Sequence, residues 1–224
     1  MKPKNFLRNF FDAIIYFIYP PLCPVCREIA DEYGELCKEC ADKVFAVDSA
    51  NDFPPPIQEV VRITKYREGT RQMILRLKFE DDLKYLPAFH KILEESFKQK
   101  KISEMLEKVD LATSVPLHEK RLKERGYNQT DLIFEDWLKR HGVPFEKVLT
   151  RNISTPHLYK LNPEERKKVL NGVFSIADNF SVVGKKILIV DDIYTTGATA
   201  AACGKVLKEA GAAEIFVLAF ASDF

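Results

Sequence analysis

The chain has 224 residues, 46% of them hydrophobic, which is enough for one ordinary α/β domain and a small appendage. Its 34 basic and 33 acidic side chains nearly cancel to a formal charge of +1, which excludes a general attraction to nucleic acid and leaves only local patches to supply one. No secretory signal or membrane-spanning stretch is read, so a cytoplasmic protein is expected, with any contact at the inner face of the membrane made through partners.

The first element is an apolar stretch from Phe10 to Tyr19, interrupted by Asp12. It reads as an amphipathic helix docked on the protein, in preference to one lying on a membrane surface. Cys23-Pro-Val-Cys26 and Cys37-Lys-Glu-Cys40 follow, ten residues apart, and hold four of the five cysteines. Two such knuckles close an all-thiolate tetrahedral shell on zinc with no position left for water, so the ion is structural. Disulfides are the competing reading, disfavoured by the paired spacing and the expected compartment.

Residues Asp48 to Pro56 have linker composition. The expected organisation is an N-terminal helix and zinc module over 1–50, a linker over 51–57 and a larger domain over 58–224. Within that domain Val60 to Ile63 reads as a strand. Tyr66 to Phe79 reads as a helix with Ile74, Leu75, Leu77 and Phe79 buried and Arg67, Arg71, Arg76 and Lys78 solvated. Pro87 to Lys100 reads as a second amphipathic helix.

Asp110 to Leu117 reads as a strand running into a loop that carries His118 to Gln129. Four cations in six residues, Lys120, Arg121, Lys123 and Arg125, suit a pyrophosphate or a nucleic-acid backbone, although a charged helical turn would look the same. The spacing predicts a helix over Thr130 to Arg140, with Leu132, Ile133, Trp137 and Leu138 turned inward. None of the four histidines shows metal-ligand spacing.

The most informative stretch is Lys186-Ile-Leu-Ile-Val-Asp191-Asp192-Ile-Tyr-Thr195-Thr196-Gly197-Ala198-Thr199. Ile187 to Val190 reads as a buried parallel strand ending at two adjacent carboxylates. A hydroxyl-rich loop and an Ala-rich helix from about Thr199 to Ala210 follow, ended by Gly211. Glu214 to Phe220 gives the next strand, completing a strand–helix–strand unit of a parallel sheet. Loop amides and a helix N-terminus favour an anion, with Thr195, Thr196 and Thr199 as added donors. The acidic pair suits vicinal sugar hydroxyls, directly or around Mg2+. Together these parts describe a sugar-phosphate site. Cys203 lies in the helix and reads as a buried small side chain.

This stretch resembles the phosphoribosyl-pyrophosphate (PRPP) motif of the type I phosphoribosyltransferases. The resemblance implies a type I phosphoribosyltransferase-like parallel sheet flanked by helices, with Asp191 and Asp192 on the ribose and Thr195, Thr196, Gly197, Ala198 and Thr199 around the 5′-phosphate. It also implies Mg2+ with PRPP, pyrophosphate on the basic cluster, and a hood over residues 149–172 that brings Arg151, Arg166, Lys167 and Lys168 to a bound phosphate. A solvent-facing charged hairpin and helix is the alternative for that segment. The hypoxanthine–guanine enzymes carry a carboxylate where this loop has Thr195, which argues against purine salvage of that type, and no residue is assigned to activate an acceptor.

With the four cysteines and Val115-Pro-Leu-His…Arg121-Leu-Lys-Glu-Arg125-Gly-Tyr-Asn128-Gln129, the whole chain resembles the ComF family of competence proteins, of the ComFC type. The family usually carries Gln where this chain has His157, and no role is carried to that position. The resemblance implies handling of incoming single-stranded DNA, a phosphoribosyl ligand and a competence helicase as partner. Transfer to an unknown acceptor and a purely adaptor role both remain open.

Overall fold

The computed structural model describes residues 14–154, 169–170 and 172–223. The start of the expected N-terminal helix, His157, and the hood residues Arg166, Lys167 and Lys168 lie outside them. Within them, a five-stranded sheet runs in the order β1-β2-β7-β6-β3. Its strands are β1 (Phe45–Ser49), β2 (Glu59–Lys65), β3 (Leu111–Ser114), β6 (Lys186–Tyr194) and β7 (Glu214–Ser222). All neighbours pair parallel except β1, which lies antiparallel on β2. A short hairpin of β4 (Leu149–Arg151) and β5 (Phe174–Ile176) stands beside it. The expected mainly parallel α/β architecture with a small cysteine module is present.

The central position of β7 follows from its composition. Every residue from Ile215 to Ser222 is buried, as a strand covered on both faces requires. One face carries α2 (Glu68–Phe79), α3 (Leu86–Phe97), α4 (Lys100–Lys108) and α6 (Gln129–Arg140). The other carries α7 (Ala198–Glu209) and the β4–β5 hairpin. The predicted helix over Pro87 to Lys100 is α3, which ends at Phe97; α4 starts at Lys100 because Gln99 is extended, which lets Ile102, Met105 and Leu106 turn inward.

In α2, Ile74 and Leu77 are buried as expected, while Leu75 is only half-buried. Thr70, Met73, Ile74 and Leu77 are its buried positions, a stripe of i, i+3, i+4 and i+7. Phe79 falls off that stripe and is 61% exposed, whereas Lys78, four residues beyond Ile74, falls on its edge. Arg67 and Arg71 are solvated as expected.

The cysteine module is not a satellite. The helix α1 (Lys38–Val44) runs directly into β1, and Cys23, Ala30, Leu36 and Cys40 belong to the same core as α2, α3 and α6. Gly34, at φ +80°, sits so close that a Cβ would lie 1.9 Å from the Lys84 carbonyl oxygen. Glu35 beside it pairs with Lys91 of α3 at 2.6 Å.

The Phe89 and Phe220 rings, 4.8 Å apart and both fully buried, join α3 to the sheet. Phe220→Ala is expected to cost about 3–5 kcal/mol in urea unfolding, and a loss under about 1 kcal/mol would place the core elsewhere.

Candidate functional site

The strand β6 extends further than expected. It runs to Tyr194 because β7 keeps pairing with it as far as Ser222, whereas β3 stops opposite Val190. The acidic pair therefore lies inside one ladder and just past the end of the other. The loop then turns at Gly197, whose φ of +72° is left-handed. A Cβ there would stand 2.3 Å from Tyr194 Oη and 3.0 Å from Pro54. Glycine is thus the residue that lets the loop close on Tyr194 while α7 begins at Ala198.

Gly197 contributes no side-chain cap, so the first-turn N–H groups of α7 receive none from that position. Thr195 and Thr196 are exposed around them, and Thr199 is half-buried. A cavity of about 1330 Å³ opens beside the loop, lined in part by Phe53, Pro54, Phe174, Thr196 and Ala198.

The acidic pair is held from two helices. Asp192 is almost fully buried and its Oδ2 lies 2.7 Å from Lys78 Nζ. The same oxygen accepts a hydrogen bond from Gln129 Nε2 at 3.0 Å. Asp191 Oδ1 accepts the backbone N–H of Asp192 at 2.9 Å. Burial, and then the neighbouring carboxylate of Asp192, push the Asp191 carboxyl well above the usual carboxylate range, with Lys78 opposing.

The stretch Arg125 to Gln129 builds this contact residue by residue. Gly126, at φ +78°, ends α5 (Glu119–Arg125) in a left-handed cap. Tyr127 anchors on α2 by donating to the Leu77 carbonyl at 2.7 Å. Asn128 caps α6 through Thr130 N–H at 3.1 Å and donates to the Val115 carbonyl at 3.0 Å. Gln129 is thereby aimed at Asp192, and its Oε1 accepts from Arg125 Nη1.

The basic cluster lies on a helix, the alternative its composition allows to a loop, and the helix divides it. Lys120 and Lys123 point to solvent, and Lys123 pairs with Glu119 at 2.5 Å. Arg121 and Arg125, one turn apart, are half-buried on the site side. Burial is the main influence on the Arg125 guanidinium, followed by the attraction of Asp192. Arg151, on β4, stands over the Phe174 ring at 5.6 Å and feels both Arg121 and Asp191. Lys78 and Gln129 were not read as site residues from the sequence. The helical spacing from Ile74 is the available signal for Lys78; Gln129 lies in the stretch that resembles the ComF family, but its direction toward Asp192 depends on Gly126 and Asn128. Cys203 is buried as expected, and burial pushes its thiol up.

The four thiolate candidates meet in space. The Sγ atoms of Cys23, Cys26, Cys37 and Cys40 all lie within 4.8 Å of one another, and those of Cys26 and Cys37 are 3.5 Å apart. A tetrahedral ion with bonds of about 2.3 Å needs sulfur–sulfur edges of about 3.8 Å, so the cluster fits zinc. The Glu28 N–H points at Cys26 Sγ at 3.4 Å, a hydrogen bond that would hold a ligating thiolate. Bound there, the ion would tie the two knuckles together as a structural crosslink.

A family model described as "Double zinc ribbon domain" matches residues 14–50. The chain is 30% identical over 199 residues to the "DNA utilization protein YhgH" of Escherichia coli K12, covering 88% of this chain and 82% of that protein. It is 25% identical to "Competence protein F" of Haemophilus influenzae, again over 88% and 82%, and 25% identical to "Competence protein ComFC" of Bacillus subtilis, over 86% and 73%. The chain belongs to the ComF family. Among solved structures, this ComF protein shows a likeness to an adenine phosphoribosyltransferase from Thermoanaerobacter pseudethanolicus, with TM-score 0.39, 15% identity, and coverage of 79% of this chain and 95% of that one. A phosphoribosylpyrophosphate synthetase from Mycobacterium smegmatis gives a TM-score of 0.34 at 15% identity over 60% of this chain; the chain spans 33% of that protein.

Two outcomes are expected. Zinc assay should find about one ion per chain, lost in Cys40→Ser; undiminished zinc in that variant would exclude the cluster. For Asp191, a raised native pKa means that the folded protein keeps a proton the unfolded chain has released. Stability should therefore fall as pH rises from the ordinary carboxylate range through the raised native value, and Asp191→Asn should flatten that fall in a series of urea midpoints.

Proposed function

We propose that this ComF protein acts in DNA uptake, handling incoming single-stranded DNA, and that the end of β6 and the start of α7 bind a phosphoribosyl group such as that of PRPP. The observation that carries the reading is the acidic pair at the end of β6, with Lys78 on Asp192 Oδ2 and Arg125 behind it on Gln129, beside the first turn of α7, to which Gly197 gives no side-chain cap. Acids suit ribose hydroxyls, helix amides suit the 5′-phosphate, and the surrounding cations suit a second anionic group. The names of the relatives from Escherichia coli, Haemophilus influenzae and Bacillus subtilis support the DNA side of the reading.

DNA contact has no global charge to draw on, so it falls to local features such as Lys120 and Lys123 on the outer face of α5. Binding carried by a few phosphate contacts weakens steeply as salt rises. A titration of labelled oligonucleotide across salt is therefore expected to show affinity at low salt that Lys120→Glu with Lys123→Glu reduces by about tenfold or more. Absence of binding at low salt would remove the DNA half of the reading.

An adaptor role is favoured by a different observation. Among the described residues no helix is long and apolar enough to cross a membrane. Yet Phe17, Ile18 and Tyr19 are 88, 61 and 72% exposed, and Ile29 and Tyr33 of the cysteine module are more than half exposed. Such a surface suits a protein partner, of which a competence helicase is one. Removing residues 1–50 would also expose the shared core, so Phe17→Ser with Tyr19→Ser is the cleaner variant. It is expected to lose the helicase in pull-down while keeping PRPP binding; an unchanged pull-down would remove the adaptor role.

A further inference from the structure

A phosphoribosyl site built on an acidic pair is expected to work with Mg2+, yet one carboxylate oxygen of this pair, Asp192 Oδ2, is already taken by a cation of the chain itself. Mg2+ takes oxygen ligands at about 2.0–2.1 Å in near-octahedral geometry and holds on to its waters. Asp192 Oδ2 instead meets an ammonium at 2.7 Å and an amide N–H at 3.0 Å, both inside the protein. The Asp192 side chain is 4% exposed and that of Lys78 is 19% exposed, so the pair is largely shielded from water. A divalent cation could not share this oxygen without driving Lys78 out and stranding its charge.

The lysine is also firmly placed. It sits on the edge of the buried stripe of α2, and the adjoining turn is pinned by the hydrogen bond from Tyr127 Oη to the Leu77 carbonyl at 2.7 Å. Gln129 presses on the same oxygen from α6, and is itself held by Arg125. Two helices thus converge on one carboxylate oxygen, and the cation they supply is part of the chain.

We propose that this site takes its phosphoribosyl ligand without a divalent cation, the Lys78 ammonium filling on Asp192 the electrostatic place that Mg2+ would occupy. The proposal rests on the phosphoribosyl reading given above. It makes Lys78 a positioning residue: it holds Asp192 Oδ2 so that the remaining carboxylate oxygens face the sugar hydroxyls, and it brings positive charge to the side where a pyrophosphate would lie.

The test is calorimetric titration of the full-length, zinc-loaded protein with PRPP and with ribose 5-phosphate. One buffer is stripped of divalent ions beforehand and contains no chelator, so that the structural zinc stays; the other contains Mg2+. Wild-type affinity for both ligands is expected to change by less than about threefold between the buffers, a shift well under 1.4 kcal/mol. Lys78→Met is expected to lose at least about tenfold in the Mg2+-free buffer, while Lys78→Arg, which keeps the charge, is expected to stay metal-independent. Circular dichroism establishes that both variants are folded. Wild-type binding that appears only with Mg2+ would overturn the proposal and leave the phosphoribosyl reading standing. So would undiminished Mg2+-free binding by folded Lys78→Met. No heat from either ligand in either buffer would bring down both.

Discussion

A carboxylate that is 4% exposed cannot remain charged without partners, and the contact of Asp192 with Lys78 and Gln129 is the constraint around which the site is arranged. Removing either donor would leave a buried charge short of a hydrogen bond, a defect that costs several kcal/mol when the partner is the counter-ion. The pair therefore does more than neutralise. It ties the last turn of α2 and the start of α6 to the end of β6. The left-handed cap at Gly126 and the Asn128 cap follow from the same need, since Gln129 reaches Asp192 only if the chain reverses between α5 and α6.

The opposite end of the molecule has a different organising interaction. The four cysteines bring together two short loops that lack a core of their own, and a zinc ion is the element that closes them. Once closed, the module contributes Cys23 and Cys40 to the main core and leads through α1 into the edge strand β1. That edge strand shields β2 on the side away from β7, while the apolar side chains of residues 17–19, 29 and 33 are left facing outward. One module thus supports the sheet on one side and presents an adhesive surface on the other.

The two ends are joined by α2 and α3. The cysteine module docks against Lys84, just after α2, and Lys91 of α3, and Lys78 in the last turn of α2 reaches the acidic pair. The cysteine cluster and the acidic pair are thereby connected through two helices whose buried faces belong to a single core.

The CxxC spacing, the apolar run ending in two aspartates and the Thr-Thr-Gly turn were all readable in the residues, because each depends on neighbours within a few positions. So were the parallel sheet and the inward face of α6. The full extent of β6 was not, since it is set by β7 continuing to pair while β3 stops, a comparison between strands distant in sequence. Nor were the division of the basic cluster by α5, the burial of Lys78, or the hydrogen bond of Gln129. Sequence by itself determined which chemical groups were available and the local turns that present them. Tertiary structure alone decided which of them share one carboxylate oxygen, because a helix turned by one residue moves each side chain by about 100°, and only packing against the sheet sets that angle.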